Sequence, residues 1–157
     1  QQILIYRPLV PIHSLRRLHV VVPPRGEFDP GLKHWCRRIA TLAEQTACRV
    51  SVYGEERTLR AVEGAWQAER RSLSADFHKF TPAEGLAGVA ARTRPDHMAV
   101  FVLARRGMPS YHRRLEDIPG QLERYFSARS WMLIVPAALG SSSSSADGRN
   151  ALTLSDR

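Results

Sequence analysis

The sequence predicts an α/β fold: an open five-stranded parallel sheet, strand order 3-2-1-4-5, with helices on both faces. Two observations carry this. Short apolar runs rich in β-branched residues alternate with amphipathic helical stretches, the pattern of βαβ units with right-handed crossovers. The two strongest runs, Leu18-His19-Val20-Val21-Val22 and Met98-Ala99-Val100-Phe101-Val102-Leu103, read as central strands covered on both sides.

The elements follow in order. Leu18–Val22 is the first strand of the sheet, and Pro23-Pro24 ends it. Asp29 is placed to cap a helix with Pro30 at its first position. Leu32, Trp35, Cys36, Ile39, Leu42, Ala43 and Thr46 then recur at helical spacing and predict a core-facing stripe. Arg49–Tyr53 is the second strand, stopped by Gly54, and Glu56–Gln67 a helix with Leu59, Val62 and Trp66 inward. Asp76–Phe80 is the third strand. Thr81-Pro82-Ala83-Glu84 is a capping box that opens a helix burying Leu86, Val89 and Ala90. Met98–Leu103 is the fourth strand. An irregular Arg-rich stretch leads to a short helix from Pro119 to Phe126, and Trp131–Val135 is the fifth strand. Ile3–Tyr6 is a further short strand with no crossover helix, expected at an edge or as an extended lead-in.

A chain of 157 residues suits one domain with or without a tail. Residues 18–136 are expected to form the domain. Residues 1–17 are read as a lead-in from a preceding segment, Gln1-Gln2-Ile3 resembling the cut end of something longer. Residues 137–157, Ser-rich with nothing to bury, are read as a disordered tail. Apolar residues at 43% and charged residues at 24% exclude wholesale disorder, and no apolar run approaches the 18 or so residues of a membrane helix.

The net charge is +8, and 21 of the 23 basic residues are Arg. An anionic neighbour such as lipid headgroups or a phosphate ligand would account for the excess. The pairs Arg16-Arg17, Arg37-Arg38, Arg70-Arg71, Arg105-Arg106 and Arg113-Arg114 are nevertheless scattered, as solvated surface cations are. No nucleic-acid motif or clustered aromatic–basic stripe accompanies them, so nucleic acid is not an expected partner. Cys36 and Cys48 stand in no CxxC and near no zinc-type His spacing, which fits buried free thiols in a reducing, cytoplasmic setting. The six His residues (13, 19, 34, 78, 97, 112) show no ligand spacing, so no metal is expected. The sequence has no GxSxG, HExxH, GxxxxGK[ST] or GxGxxG after a strand. Glu55-Glu56 and Glu116-Asp117 read as helix-start charges, so no catalytic residues are assigned and the chain is not read as an enzyme.

One location stands out. Open parallel sheets bind ligands outside the carboxyl ends of strands where the order reverses. Here that is between the first and fourth strands, where Pro23-Pro24-Arg25-Gly26 and Ala104-Arg105-Arg106-Gly107-Met108-Pro109-Ser110-Tyr111 follow. Arg25, Arg105 and Arg106, with Gly26, Gly107, Ser110 and Tyr111, are the candidate site for an anion or nucleotide; guanidinium forks suit phosphate oxygens and Tyr111 suits stacking. Solvated loop arginines are the plainer reading.

Several stretches together resemble a known family: Ile5-Tyr6-Arg7-Pro8-Leu9, Leu18 to Pro24, Gly31-Leu32-Lys33-His34-Trp35, Ser110-Tyr111, and above all Ile118-Pro119-Gly120-Gln121-Leu122-Glu123-Arg124-Tyr125-Phe126 leading into Ser130-Trp131-Met132-Leu133-Ile134-Val135-Pro136. They resemble the universal-stress-protein-like cytoplasmic C-terminal domain of bacterial monovalent cation:proton (Na+/H+) antiporters. The resemblance implies a regulatory or assembly module on the cytoplasmic side of the bacterial inner membrane. Its partners would be the membrane domain of the same antiporter, a second copy of the chain, and an anionic lipid surface. Stress-protein domains often dimerise through the last strand, which would place Met132, Leu133, Ile134 and Val135 at a two-fold axis. An adenine nucleotide is the ligand class the resemblance suggests, but its motif is absent. Pro23 follows Val22 with no Asp, and Ser110 stands where Gly107 would need a second Gly in the Gly-x2-Gly-x9-Gly-[Ser/Thr] loop.

Overall fold

The computed structural model describes residues 1–80 and 85–137. The predicted capping box at 81–84, and all but the first residue of the predicted tail at 137–157, lie outside the described residues. The chain runs β1 (Ile3–Arg7), β2 (Arg17–Val21), α1 (Leu32–Thr46), β3 (Arg49–Gly54), α2 (Glu56–Ala68), β4 (Ala75–Lys79), α3 (Gly85–Arg92), β5 (His97–Val102), α4 (Ile118–Tyr125) and β6 (Ser130–Val135). Single 3-10 turns lie at Ile12–Ser14, Gly26–Phe28 and Arg113–Asp117.

The strands form one six-stranded sheet, β1-β6-β5-β2-β3-β4, where five were expected. All pairs are parallel except β1–β6, whose antiparallel register sets Ile3 against Val135 and Arg7 against Trp131. The segment read as a lead-in is thus an integral edge strand. Arg7 anchors it: its guanidinium Nη2 donates to the carbonyls of Phe126, Ser127 and Arg129 at 2.5, 2.9 and 3.2 Å. A cation is favourable at the carbonyl end of α4. Because β6 has β5 on one side and β1 on the other, its backbone has no open edge. Met132–Val135 therefore cannot join a partner strand across a two-fold axis while β1 stays in place.

Strand pleating sends alternate side chains to opposite faces. On one face Leu18, Val20, Val50, Val52, Met98, Val100, Met132 and Ile134 pack under α1 and α2 in one cluster; on the other, Ala99, Phe101 and Leu133 pack under α3 and α4 in a second. In the centre, Val20 pairs with both Val52 and Val100. The α1 stripe buries Leu32, Trp35, Cys36, Ile39, Ala40 and Ala43, while Leu42 and Thr46 are only half-buried at its margin. Trp66 of α2 donates its indole N–H to the Cys36 carbonyl at 2.7 Å, joining the two helices. Both cysteines are free and buried, and burial pushes the Cys36 thiol far above its ordinary range. No helix among the described residues is long and apolar enough to cross a membrane.

The start of α1 departs from the prediction. Gly31 occupies the N-cap position and the helix begins at Leu32, two residues later than Pro30 implied. Asp29 is drawn elsewhere: its buried carboxylate accepts both the backbone N–H, at 3.1 Å, and the hydroxyl of Ser110. A buried carboxylate needs donors, and Ser110 supplies two from one residue, which outweighs a local cap.

The second cluster is the smaller, and Phe126 is its fully buried anchor, edge-on to Phe101 with ring centroids 5.3 Å apart. Phe126→Ala should cost about 3–5 kcal/mol in urea or guanidinium unfolding, whereas Phe28→Ala, at an exposed position, should change stability by less than about 0.5 kcal/mol.

Candidate functional site

A cavity of about 420 Å³ opens at the carboxyl ends of β2, β3 and β5. Its floor is Val21, Val22, Phe101 and Val102. Pro23 and Pro24, which follow β2, also line it. Leu86 of α3 and Leu115 and Ile118 near the start of α4 form the apolar walls. Polar groups are few: Glu55, His112, Arg114, Asp117 and Gln121. An apolar enclosure with a small number of polar groups is the usual make-up of a small-molecule site.

The wall at β3 depends on Gly54. A Cβ at Gly54 would collide with the Val22 Cγ2 methyl and lie 3.5 Å from the Val22 carbonyl. Val22 N–H donates to the Tyr53 carbonyl at 3.0 Å, so the two chains are already held close there. His112 is pushed below its ordinary pKa by burial first and by Arg114 second, so at neutral pH it offers one donor and one acceptor nitrogen.

The candidate residues predicted from sequence lie near this mouth but do not line it, and they do not converge. Arg25 is exposed in a left-handed turn, φ 65°, while Gly26 is buried beside Thr58. Arg105 is engaged by main chain, Nε donating to the Pro136 carbonyl at 2.9 Å and Nη2 to the Gln1 carbonyl at 3.1 Å. Arg106 forks onto Glu116, 2.7 Å away, and the Tyr111 hydroxyl donates to the same carboxylate at 2.5 Å. Tyr111 first, and Arg106 after it, hold Glu116 below the usual carboxylate range. Gly107, φ 87°, serves the turn closed by the Met108 N–H to Arg105 carbonyl bond. Ser110 is buried on Asp29. The two arginines after β5 thus contact groups of the protein itself, Arg105 two main-chain carbonyls and Arg106 a surface carboxylate.

Sequence reasoning passed over His112, Arg114, Asp117 and Gln121. The spacing of the last three, three and then four residues apart, places them on one side of a helical path and was the available signal. Among the described residues no group of three or more His, Cys, Asp or Glu side chains is placed to hold a metal ion.

Comparison with protein-family models and with curated protein sequences finds no match to this chain. The site therefore stands on its own geometry. Gly54→Ala should push Val22 toward the cavity and destabilise the fold by about 1–3 kcal/mol, the usual cost of overpacking, read by chemical denaturation. Arg106→Ala should change stability by less than about 1 kcal/mol, since the Arg106–Glu116 pair is a surface one.

Proposed function

We propose that the chain is a regulatory and assembly domain of a cation:proton antiporter that binds a small ligand in the cavity at the carboxyl ends of β2, β3 and β5, and that ligand occupancy biases its docking to the transporter. The observation carrying the ligand reading is the cavity itself: about 420 Å³, largely apolar, at the reversal point of the strand order. The antiporter context comes from the resemblance of residues 3–136, and its partners and cytoplasmic location belong to the same proposal.

The resemblance supplies adenine nucleotides as the ligand class, and the geometry favours the part of such a ligand that is not phosphate. Arg105 and Arg106 are occupied. Among the described residues Arg114 is the one guanidinium in the cavity lining, which also carries Glu55 and Asp117. A nucleoside-like body, with an apolar ring and a few polar edges, fits better than a polyanion. Charge-assisted bonds to phosphate contribute about 1.5–3 kcal/mol each, so a phosphate-reading site would separate ATP from adenosine by well over tenfold.

Calorimetric titration with adenosine, AMP and ATP checks this. The expected outcome is adenosine and ATP binding within about threefold of each other, with Leu86→Trp, which fills the cavity, abolishing the heat. ATP binding more than about tenfold tighter, with the gain lost in an Arg105→Ala, Arg106→Ala double variant, would establish the phosphate-sensor alternative instead. No heat with any of the three at millimolar concentration would remove the nucleoside reading. For the transporter context, deletion of residues 3–136, the whole sheet with its edge strand β1, should alter transport activity, its pH response or assembly; a transporter unchanged in all three would rule it out.

Self-association in this proposal uses β1. Ile3, Ile5, Tyr6 and Leu9 are exposed, and among the described residues β1 has a neighbour on one side only. An edge strand with an open hydrogen-bonding row and apolar side chains is a ready template for another strand. Ile5→Lys should therefore convert a dimer to a monomer in light scattering without loss of fold, Ile5 being half exposed.

A further inference from the structure

The sheet face beneath α3 and α4 is apolar over β5 and β6 but polar over β2, β3 and β4. There His19 pairs with Ser51 in register, Ser51 with Asp76, and Tyr53 with His78. His19, 3% exposed, uses both ring nitrogens: Nδ1 lies 2.9 Å from the Tyr53 hydroxyl and Nε2 lies 3.0 Å from Nδ1 of His97. His97 Nδ1 is also 3.3 Å from the carbonyl of Arg92, the last residue of α3, and its Nε2 is 3.7 Å from the Asp96 carboxylate.

One arrangement of hydrogens satisfies these contacts with both rings neutral. His97 Nδ1–H donates toward His19 Nε2 and the Arg92 carbonyl, and His19 Nδ1–H donates to the Tyr53 oxygen. A first added proton fits on His97 Nε2, which faces Asp96. With His97 protonated at both nitrogens, a second proton has only His19 Nε2 to occupy, and there it would confront the His97 Nδ1–H head-on at the 3.0 Å separation. That state requires the rings to part, and parting them removes the His97 contact with the end of α3.

Other charged groups around the pair act in both directions. Arg17 on β2, Arg92 on α3 and Arg94 beyond it oppose protonation, while Asp76 on β4 and Asp96 favour it. Arg92 also lies over the Tyr53 ring, 5.6 Å from its centroid, and His78 stacks on that ring at 5.1 Å, so Tyr53 is held between α3 and β4. Two other carbonyls in the last turn of α3 are bonded, Val89 by the Thr93 hydroxyl at 2.8 Å and Ala90 by Arg129 at 2.7 Å. At the other end of α3, Gly85 and Leu86 line the cavity.

We propose that the His19–His97 pair is an acid-released latch on α3: while one proton lies between the rings it ties β2 and β5 to the helix's last carbonyl, and a proton taken from solvent onto His19 Nε2 once His97 is protonated parts the rings and loosens the helix that walls the cavity. The latch rests on the fold alone and stands or falls independently of the function proposed above.

The direction of the pH dependence follows from linkage. Burial, then the neighbouring His97, lowers the His19 pKa from 6.5 to about 4, and burial lowers that of His97 as well. A group with a depressed folded pKa supports the closed state fully above the free value of 6.5, and that support is lost as pH falls toward the closed-state value of about 4. From His19 alone, opening of α3 should become about tenfold more frequent between roughly pH 7.5 and 5.5.

Hydrogen exchange of the intact chain, corrected for intrinsic rates, measures this at the Val89, Ala90 and Thr93 amides. The expected result is about tenfold lower protection at the acid pH in the wild type and a clearly smaller change in His19→Gln, whose amide does not titrate and which leaves only His97 to respond. Equal wild-type protection at both pH values, or a tenfold change that persists in His19→Gln, would overturn the latch. Nitrogen-15 imidazole titration of the unmutated chain gives a second reading that needs no variant. His19 should remain neutral to about pH 5, with Nδ1 carrying its proton; a His19 that titrates at its ordinary value would also overturn the proposal.

Discussion

The parallel pairing of β2 with β5 is the constraint on which the rest of the molecule depends. It sets Leu18 against Met98 and Val20 against Val100, and it is the junction from which the chain winds outward in both directions. Parallel strands are covered on both faces because their crossovers lie there. That explains why α1 and α2 close one apolar cluster and α3 and α4 the other. The same register leaves the carboxyl ends of β2 and β5 side by side. The cavity opens there, and the Asp29–Ser110 contact clasps the two loops that leave them.

Around this frame the protein satisfies much of its own positive charge. Arg7 caps α4, Arg105 holds the main-chain carbonyls of Gln1 and Pro136, Arg71 bridges to Glu44 and Glu69, and Arg37 pairs with Glu69. A guanidinium has five donors in a planar fork, which suits it to tie separate segments together through carbonyls and carboxylates. The net charge of +8 thus coexists with a cavity that is mainly apolar. Composition alone does not reveal which cations are engaged, because an arginine's partner is chosen by tertiary proximity.

The two histidines illustrate the same point for the polar face. His19 and His97 are 78 residues apart and neither stands in a motif, so nothing local marks them as a pair. The β2–β5 register sets His97 beside Arg17 and Ala99 beside His19, leaving the two imidazoles diagonal neighbours on one face. Asp29 is the converse case. Its local signal was an N-cap followed by Pro, and the chain used it instead to bind Ser110, 81 residues away, since a helix can begin at Gly31 with little loss but a buried Ser110 needs a partner.

By itself the sequence determined the α/β class, the mainly parallel sheet with helices about it, and the positions of most strands and helices. These follow from local periodicity: Val20, Val50 and Val100 sit in short apolar runs, and Trp35, Ile39 and Ala43 recur with the helical repeat. It also placed the crevice at the ends of the central strands, since topology confines ligand sites to that edge. Tertiary structure alone decided that Ile3–Arg7 returns antiparallel to cover β6, and that Arg105, Arg106 and Tyr111 turn to internal partners. It alone decided that His112, Arg114, Asp117 and Gln121 line the cavity. Periodicity records which face of an element is buried; which distant side chain meets it depends on strand register and loop path, and those are set only when the whole sheet has assembled.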